Sequence, residues 1–265
     1  MSRRSGRILH SSDLHLGAGH GKTGPAWHGP ACVCPLETLA RAADQEACDV
    51  LIIAGDLFDS NQVADGVVSA ALAVLAEAHV DCVIVPGNHD SLAPNSVYRR
   101  DAFAGAGPRV RVVTAPEGQQ IGWPGSALRV WARAMVEHEP GFRPLAGAPP
   151  ADPGQWSIVA GHGHYMEREP GAGEQIRSSP IYEADLAGLE ADYVALGHWD
   201  VTQQVGKSHA AAWYSGAPVL GGSPHLALLV NFEPPDRATV VSCPLSRYLP
   251  AVCRSEQLSF LASQP

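Results

Sequence analysis

Five short segments of this 265-residue chain combine side chains suited to holding metal ions. They are Asp13-Leu14-His15, Gly55-Asp56-Leu57-Phe58-Asp59, Gly87-Asn88-His89-Asp90, Gly161-His162-Gly163-His164 and Gly197-His198-Trp199-Asp200. Carboxylate, amide and imidazole groups together form the mixed oxygen and nitrogen donor set that suits Mn, Fe, Zn or Ni. A glycine opens four of the five segments, which lets backbone approach closely and turn after a strand. Taken singly, each segment has a plainer explanation. Asp56 could cap a helix, Asn88 could occupy a turn, and a lone histidine is more often a hydrogen-bonded core residue than a ligand. Independent caps and turns do not explain all five in this order, each following an apolar run.

Those apolar runs must position the donors. Residues 7–11, 50–54 and 82–85 read as strands, and residues 36–47 and 64–78 read as the helices between them, the pattern of βαβ units. Their C-terminal ends carry Asp13, Asp56 and Asn88-His89, and open α/β sheets gather ligand groups at that edge. Strand-like pieces follow at 109–113 and 127–132, then a Pro/Gly-rich surface loop at 140–154. Residues 157–160 and 193–196 are short strands that each run into Gly-His, with a polar, Gly-rich stretch at 165–179 between them. Residues 226–232 and 238–243 read as an antiparallel hairpin across Glu233-Pro234-Pro235-Asp236.

Composition sets limits. A length of 265 residues fits one α/β domain across 1–265, and 45% apolar with 17% charged residues is a globular balance. The net charge of -9 argues against a surface built to track nucleic acid, although two bound divalent cations would offset about four units of it. Local basic groups at Arg3, Arg4 and Arg7, at Arg99 and Arg100, and at Arg109, Arg111, Arg129 and Arg133 read as solvated surface. Six cysteines without a C-x-x-C pair read as reduced thiols in a cytoplasmic protein. Cys32-Val33-Cys34 runs into Pro35 with no accompanying histidine spacing, so it is not read as a metal site. No signal-peptide core and no apolar stretch approaching the roughly 20 residues of a membrane span is present in the sequence.

Order and spacing of the five segments resemble the calcineurin-like metallophosphoesterase superfamily, whose signature runs D-x-H, G-D-x-x-D, G-N-H-[DE], a later His, then G-H-x-H. The match spans about residues 7–246. Within it, His10-Ser11-Ser12-Asp13-Leu14-His15-Leu16-Gly17, the Gly55–Asp59 segment and Tyr193-Val194-Ala195-Leu196-Gly197-His198 look like SbcD-type DNA repair exonuclease subunits. Tyr214-Ser215-Gly216-Ala217-Pro218 resembles the Y-x-G-S-P segment of that family. The resemblance implies an α/β fold, a four-layer α-β-β-α sandwich of two mixed sheets flanked by helices. It also implies two divalent cations, manganese first and Fe, Zn, Mg or Ni as alternatives. Asp13 and His15 would bind one cation, Asn88, His162 and His198 the other, and Asp56 would bridge them. His89, oriented by Asp59, would face the substrate and stabilise or protonate the leaving oxygen after attack by a metal-bound hydroxide. One departure stands out, because Asp200 replaces the final imidazole of G-H-x-H. It is expected to supply an oxygen ligand or else to point away. Either His162 or His164 could serve as the later ligand, with position favouring His162. His10, His20, His28 and His225 are read as surface or core residues.

The resemblance implies a phosphate-ester substrate, with nuclease action on DNA the leading reading. Alternatives are a stand-alone phosphodiesterase or phosphomonoesterase acting on cyclic nucleotides or other small esters, and a non-catalytic scaffold of the same fold. SbcD-type nucleases continue into a capping domain and a segment that binds an ATPase. Neither is expected here, so neither is that partner. A homodimer is compatible with the sequence, and no membrane partner is expected.

Overall fold

The computed structural model describes residues 3–18, 31–171, 176, 178–207, 210–218, 226–235 and 238–251. The chain starts with strand β1 (Gly6–Ser11), helix α1 (Cys34–Gln45), β2 (Val50–Ala54), α2 (Asp65–Glu77) and β3 (Asp81–Val85). It continues through α3 (Asp101–Ala104), β4 (Val110–Val112), β5 (Gln119–Gly122), β6 (Leu128–Ala132), β7 (Trp156–His162), β8 (His164–Met166), β9 (Pro180–Tyr182) and α4 (Glu183–Ala187). The remaining strands are β10 (Tyr193–Gly197), β11 (Gln203–Val205), β12 (Ala211–Tyr214), β13 (Leu226–Phe232) and β14 (Ala238–Pro244).

Two mixed six-stranded sheets carry the architecture, in the orders β14-β13-β1-β2-β3-β4 and β11-β12-β10-β7-β6-β5. In the first, β1 to β4 are parallel and the β13–β14 hairpin adds antiparallel to β1. In the second, β12, β10, β7 and β6 are parallel, and β11 and β5 close the edges antiparallel. The unbroken apolar run of β2 is buried at every position, as expected of a parallel strand covered on both faces. One cover is α1, which packs on β1 and β2; the other is the second sheet, whose β7 and β10 meet β2. Helix α1 buries Leu36, Leu39 and Ala43 on one side, each leucine worth about 1.5–3 kcal/mol of transferred apolar surface. It begins two residues earlier than the sequence suggested because Pro35 sits in the first turn, where its missing N–H has no helical partner to lose.

The outer layer over the second sheet is slight. It consists of the short α4 and the two-stranded β8–β9 sheet, and Ile181 and Leu186 pack there with Val194, Leu196 and Tyr214. The stretch around 165–179, read as polar and Gly-rich, contributes to β8 and runs into β9.

Two expectations need correction. Most of the arginines read as solvated are engaged inside the fold. Arg129 is buried against the Ser157 hydroxyl and the Pro150 carbonyl, Arg133 donates to the carbonyls of Pro116 and Arg143, and Arg100 donates to Asp65 and two carbonyls. The loops between strands leave carbonyls that guanidinium forks satisfy. Cys34 is disulfide-bonded, so the reading of reduced thiols fails there and holds for Cys32, Cys48, Cys82 and Cys243. Cys253 and the histidines at 20, 28 and 225 lie outside the described residues. Among the described residues, no helix is long and apolar enough to cross a membrane.

Candidate metal centre

The segments after β1 and β2 run side by side beyond their strands. Asp13 N–H donates to the Gly55 carbonyl, His15 N–H to that of Asp56 and Leu16 N–H to that of Leu57, at 2.9–3.0 Å. This register turns both chains through left-handed backbone, with φ of 57° at Asp13, 48° at His15 and 54° at Asp56. His198 has a φ of 111° at the end of β10, and Ala47 is the only other non-glycine residue with positive φ among those described. Side-chain-bearing residues avoid this region, and such strain concentrates at functional sites. The glycines that precede donors answer to close approach. A Cβ on Gly87 would stand 2.1 Å from Asp56 Oδ1, and one on Gly197 would stand 1.9 Å from the Ala54 carbonyl oxygen.

The side chains converge from both sheets. Asp13, Asp56 and His162 offer ligand atoms within 4.8 Å of one another, as do His15, Asp56 and His89, so Asp56 belongs to both groups. Its Oδ2 lies 3.4 Å from His162 Nε2 and 3.8 Å from His15 Nε2. Asn88 Oδ1 accepts from His162 Nε2 at 2.8 Å and from His198 Nδ1 at 3.0 Å. His198 also gives its backbone N–H to Asp13 Oδ2 at 3.0 Å. Below the centre, Asp90 accepts from the N–H groups of Gly87 and Phe58 and from the Tyr98 hydroxyl, which fixes the Asn88-His89 turn against the end of β2.

The electrostatics call for positive charge. Burial, together with the negative charge of Asp56, pushes the Asp13 carboxyl up to about 6 despite the pull of His162. Burial alone would raise Asp56 too, but His162 and His15 hold it below the usual carboxylate range. His162 is the counterpart: burial opposes its charge, yet Asp56 and Asp13 raise it to about 10. Its Nδ1 meets the Ala54 carbonyl at 2.9 Å while Nε2 meets Asn88 Oδ1. Both partners only accept, so both ring nitrogens carry protons. His198 goes the other way, to about 3, through burial and the neighbouring His162 and His138. His15 Nδ1 is buried without a hydrogen-bond partner, an unusual state for a polar atom. Two buried carboxylates, an orphaned imidazole nitrogen and an amide oxygen turned inward fit divalent cations.

The placement of individual residues refines the sequence reading. His162 is buried in the centre, whereas His164 lies at its margin, 6.0 Å ring to ring from His198. Asp59 meets His89 through its backbone: His89 Nδ1 is 2.8 Å from the Asp59 carbonyl and 3.8 Å from its carboxylate. That carboxylate lies nearer His15 Nδ1, at 3.5 Å. Asp200, expected as an oxygen ligand or a bystander, is exposed and belongs to neither donor group, while its carbonyl accepts the Ala217 N–H. His10 is a core residue bonded to the Tyr193 hydroxyl. His138 was missed. It sits beyond β6, 5.4 Å ring to ring from His198, with a buried and unpartnered Nε2. No motif or periodicity in Val136-Glu137-His138-Glu139-Pro140 points to it.

Two stacked mixed sheets bring carboxylates and imidazoles together at their shared strand ends, a donor set that suits divalent cations. Among solved structures, a dimetal phosphatase from Danio rerio has the same fold, with a TM-score of 0.59 at 12% identity, covering 91% of this chain and 96% of that one. Purple acid phosphatase PPD1 from yellow lupin gives 0.55 at 12% identity, covering 92% of this chain and 52% of that one. The chain belongs to the calcineurin-like phosphoesterase family, whose model matches residues 6–201. The SbcD component of the nuclease SbcCD from Escherichia coli K12 is 33% identical over 131 residues, 46% of this chain. That match spans about a third of the curated relative, 31% of its length.

Proposed function

We propose that this phosphoesterase hydrolyses phosphodiester bonds at a two-cation centre, with a nucleic-acid strand as substrate. The observation that carries the reading is Asp56 standing in both donor groups, since a bridging carboxylate screens the repulsion of two dications about 3.5–4 Å apart. Asp13 and His15 would hold one cation and Asn88, His162 and His198 the other, although the nearest donor groups pair Asp13 with His162 and His15 with His89, all around Asp56. Divalent cations, manganese foremost, would there neutralise phosphoryl oxygens and bring the pKa of water toward about 7.

The chain's own groups do the rest. The Asp59 carbonyl can only accept, so His89 Nδ1 carries a proton and Nε2 is the atom free to exchange one. His89 is exposed at the mouth of the centre. The protonated ring delivers its Nε2 proton to the departing oxygen, a contribution typically worth about 10²–10⁴ in rate. Asp13 and Asp56, locked by backbone N–H groups of His198 and His89, keep the donors in place without reorganisation.

Similarity to the SbcD component of the SbcCD nuclease supports a nucleic-acid substrate. A second reading, a small phosphodiester or monoester, is favoured by the arginines tied to internal carbonyls and by the net charge of -9. Turnover of a chromogenic phosphodiester, its monoester, and single- and double-stranded DNA across a salt series tests the choice. A nuclease must lose affinity steeply as salt rises. Salt-independent turnover confined to the small diester would replace the nucleic-acid reading, and absence of both metal and turnover would leave a scaffold.

A further inference from the structure

We propose that Trp199 is a positioning residue that clamps His164 with its proton on Nε2, presenting a fixed N–H donor to an acceptor oxygen of the substrate phosphate. Trp199 occupies the position between His198 and Asp200, so the loop that carries a metal donor also carries this indole. Its Nε1–H donates to His164 Nδ1 at 3.1 Å. An indole N–H can only donate, so Nδ1 must be the bare nitrogen of His164, and the ring proton resides on Nε2. No hydrogen bond engages that Nε2 within the described residues, and His164 is half-buried beside the centre, edge-on to the His198 ring at 6.0 Å and 87°.

The clamp is built from several sides. Trp199 lies flat on Tyr214, with ring centroids 4.6 Å apart and planes 9° from parallel. The Tyr214 hydroxyl donates to the Gly163 carbonyl at 2.7 Å and accepts the Tyr165 N–H at 2.8 Å, bracketing His164 in the chain. His164 N–H itself donates to the Ser179 carbonyl at 2.9 Å. Main chain, ring and tautomer are therefore all constrained, which is more than packing requires of a half-buried histidine. A donor whose direction is set before substrate arrives needs no reorganisation when a phosphoryl oxygen binds.

The identity of the acceptor rests on the phosphoesterase reading, whereas the clamp does not. Nitrogen NMR of the full chain loaded with zinc, a diamagnetic probe metal, reads both. The expected spectrum has a protonated His164 Nε2, a bare Nδ1, and a coupling across the hydrogen bond from Trp199 Nε1 to that Nδ1. Inorganic phosphate should shift the Nε2–H signal. Trp199→Phe keeps the stack on Tyr214 but removes the N–H. It should abolish the coupling and raise KM for a chromogenic phosphodiester about ten-fold, the worth of roughly one hydrogen bond, with kcat nearly unchanged. His164→Ala should do the same, and the double variant should be no worse than His164→Ala alone, since coupled residues are non-additive. A proton on Nδ1 in an active enzyme, or additive effects of the two substitutions, would overturn the clamp and leave the phosphoesterase reading standing. The expected tautomer with no response to phosphate and no turnover would overturn the assigned acceptor and that reading together.

Discussion

The backbone N–H of His89 donates to Oδ1 of Asp56 at 2.9 Å, so the carboxylate shared by both donor groups is oriented by main chain and not by the His89 imidazole. Removing the imidazole therefore leaves Asp56 in place. His89→Ala should retain its full complement of cations while kcat falls by about 10²–10⁴. Metal analysis beside turnover checks this, and loss of cations from the variant would show that His89 is a ligand.

Asp56 itself belongs to both groups. Asp56→Ala should release both cations and bring turnover to background, measured by elemental analysis after dialysis. Retention of both ions in this variant would remove Asp56 from the bridge.

Asp200 should be dispensable for metal. Its side chain is exposed, and the loop is held through its carbonyl and the Ala217 N–H, which a substitution leaves intact. Asp200→Asn should match the parent in metal stoichiometry and change turnover less than about three-fold, within the range of ordinary surface changes. Loss of one ion would return Asp200 to the ligand set.

Cation uptake should release a proton. His162 is raised from its ordinary 6.5 to about 10 by Asp56 and Asp13 against the cost of burial. The charged ring thus stabilises the metal-free fold fully below 6.5, and that support is lost as pH climbs through about 10. A ligand must shed the proton first. Affinity should therefore rise about ten-fold per pH unit below that value, with roughly one proton released at neutral pH. Calorimetry in buffers of different ionisation enthalpy counts it, and zero protons would contradict the assigned role.

Asp90 should matter for stability, not for chemistry. Asp90→Ala would strand two buried N–H groups and the Tyr98 hydroxyl, each costing about 1–3 kcal/mol. Urea unfolding should show a loss of at least about 3 kcal/mol; a change under about 0.5 kcal/mol would mean that water replaces the carboxylate.

Much of this centre is legible in the chain itself, because ligands at strand ends leave a local trace: an apolar run, a glycine for close approach, then the donor. Asp56, Asn88, His162 and His198 all carry it, and Asp13 carries it without the glycine. His138 does not, since it reaches the centre from an irregular loop through tertiary packing alone. Strands β5, β8, β9, β11 and β12 are three or four residues long, too short for alternation to stand out from noise. The disulfide of Cys34 was hidden because spacing along a chain says nothing of which cysteines meet. The arginine clamps were hidden for the same reason, since their carbonyl partners are set by loop geometry.

Donors to the centre come from both sheets, and Asp13 meets His198 across 185 residues of sequence. During synthesis, residue 198 must therefore emerge before Asp13 can meet this partner. A nascent fragment bearing only the first three motifs would own carboxylates and an amide but not the distal imidazoles. Such an arrangement ties assembly of the donor cluster to the pairing of the two sheets.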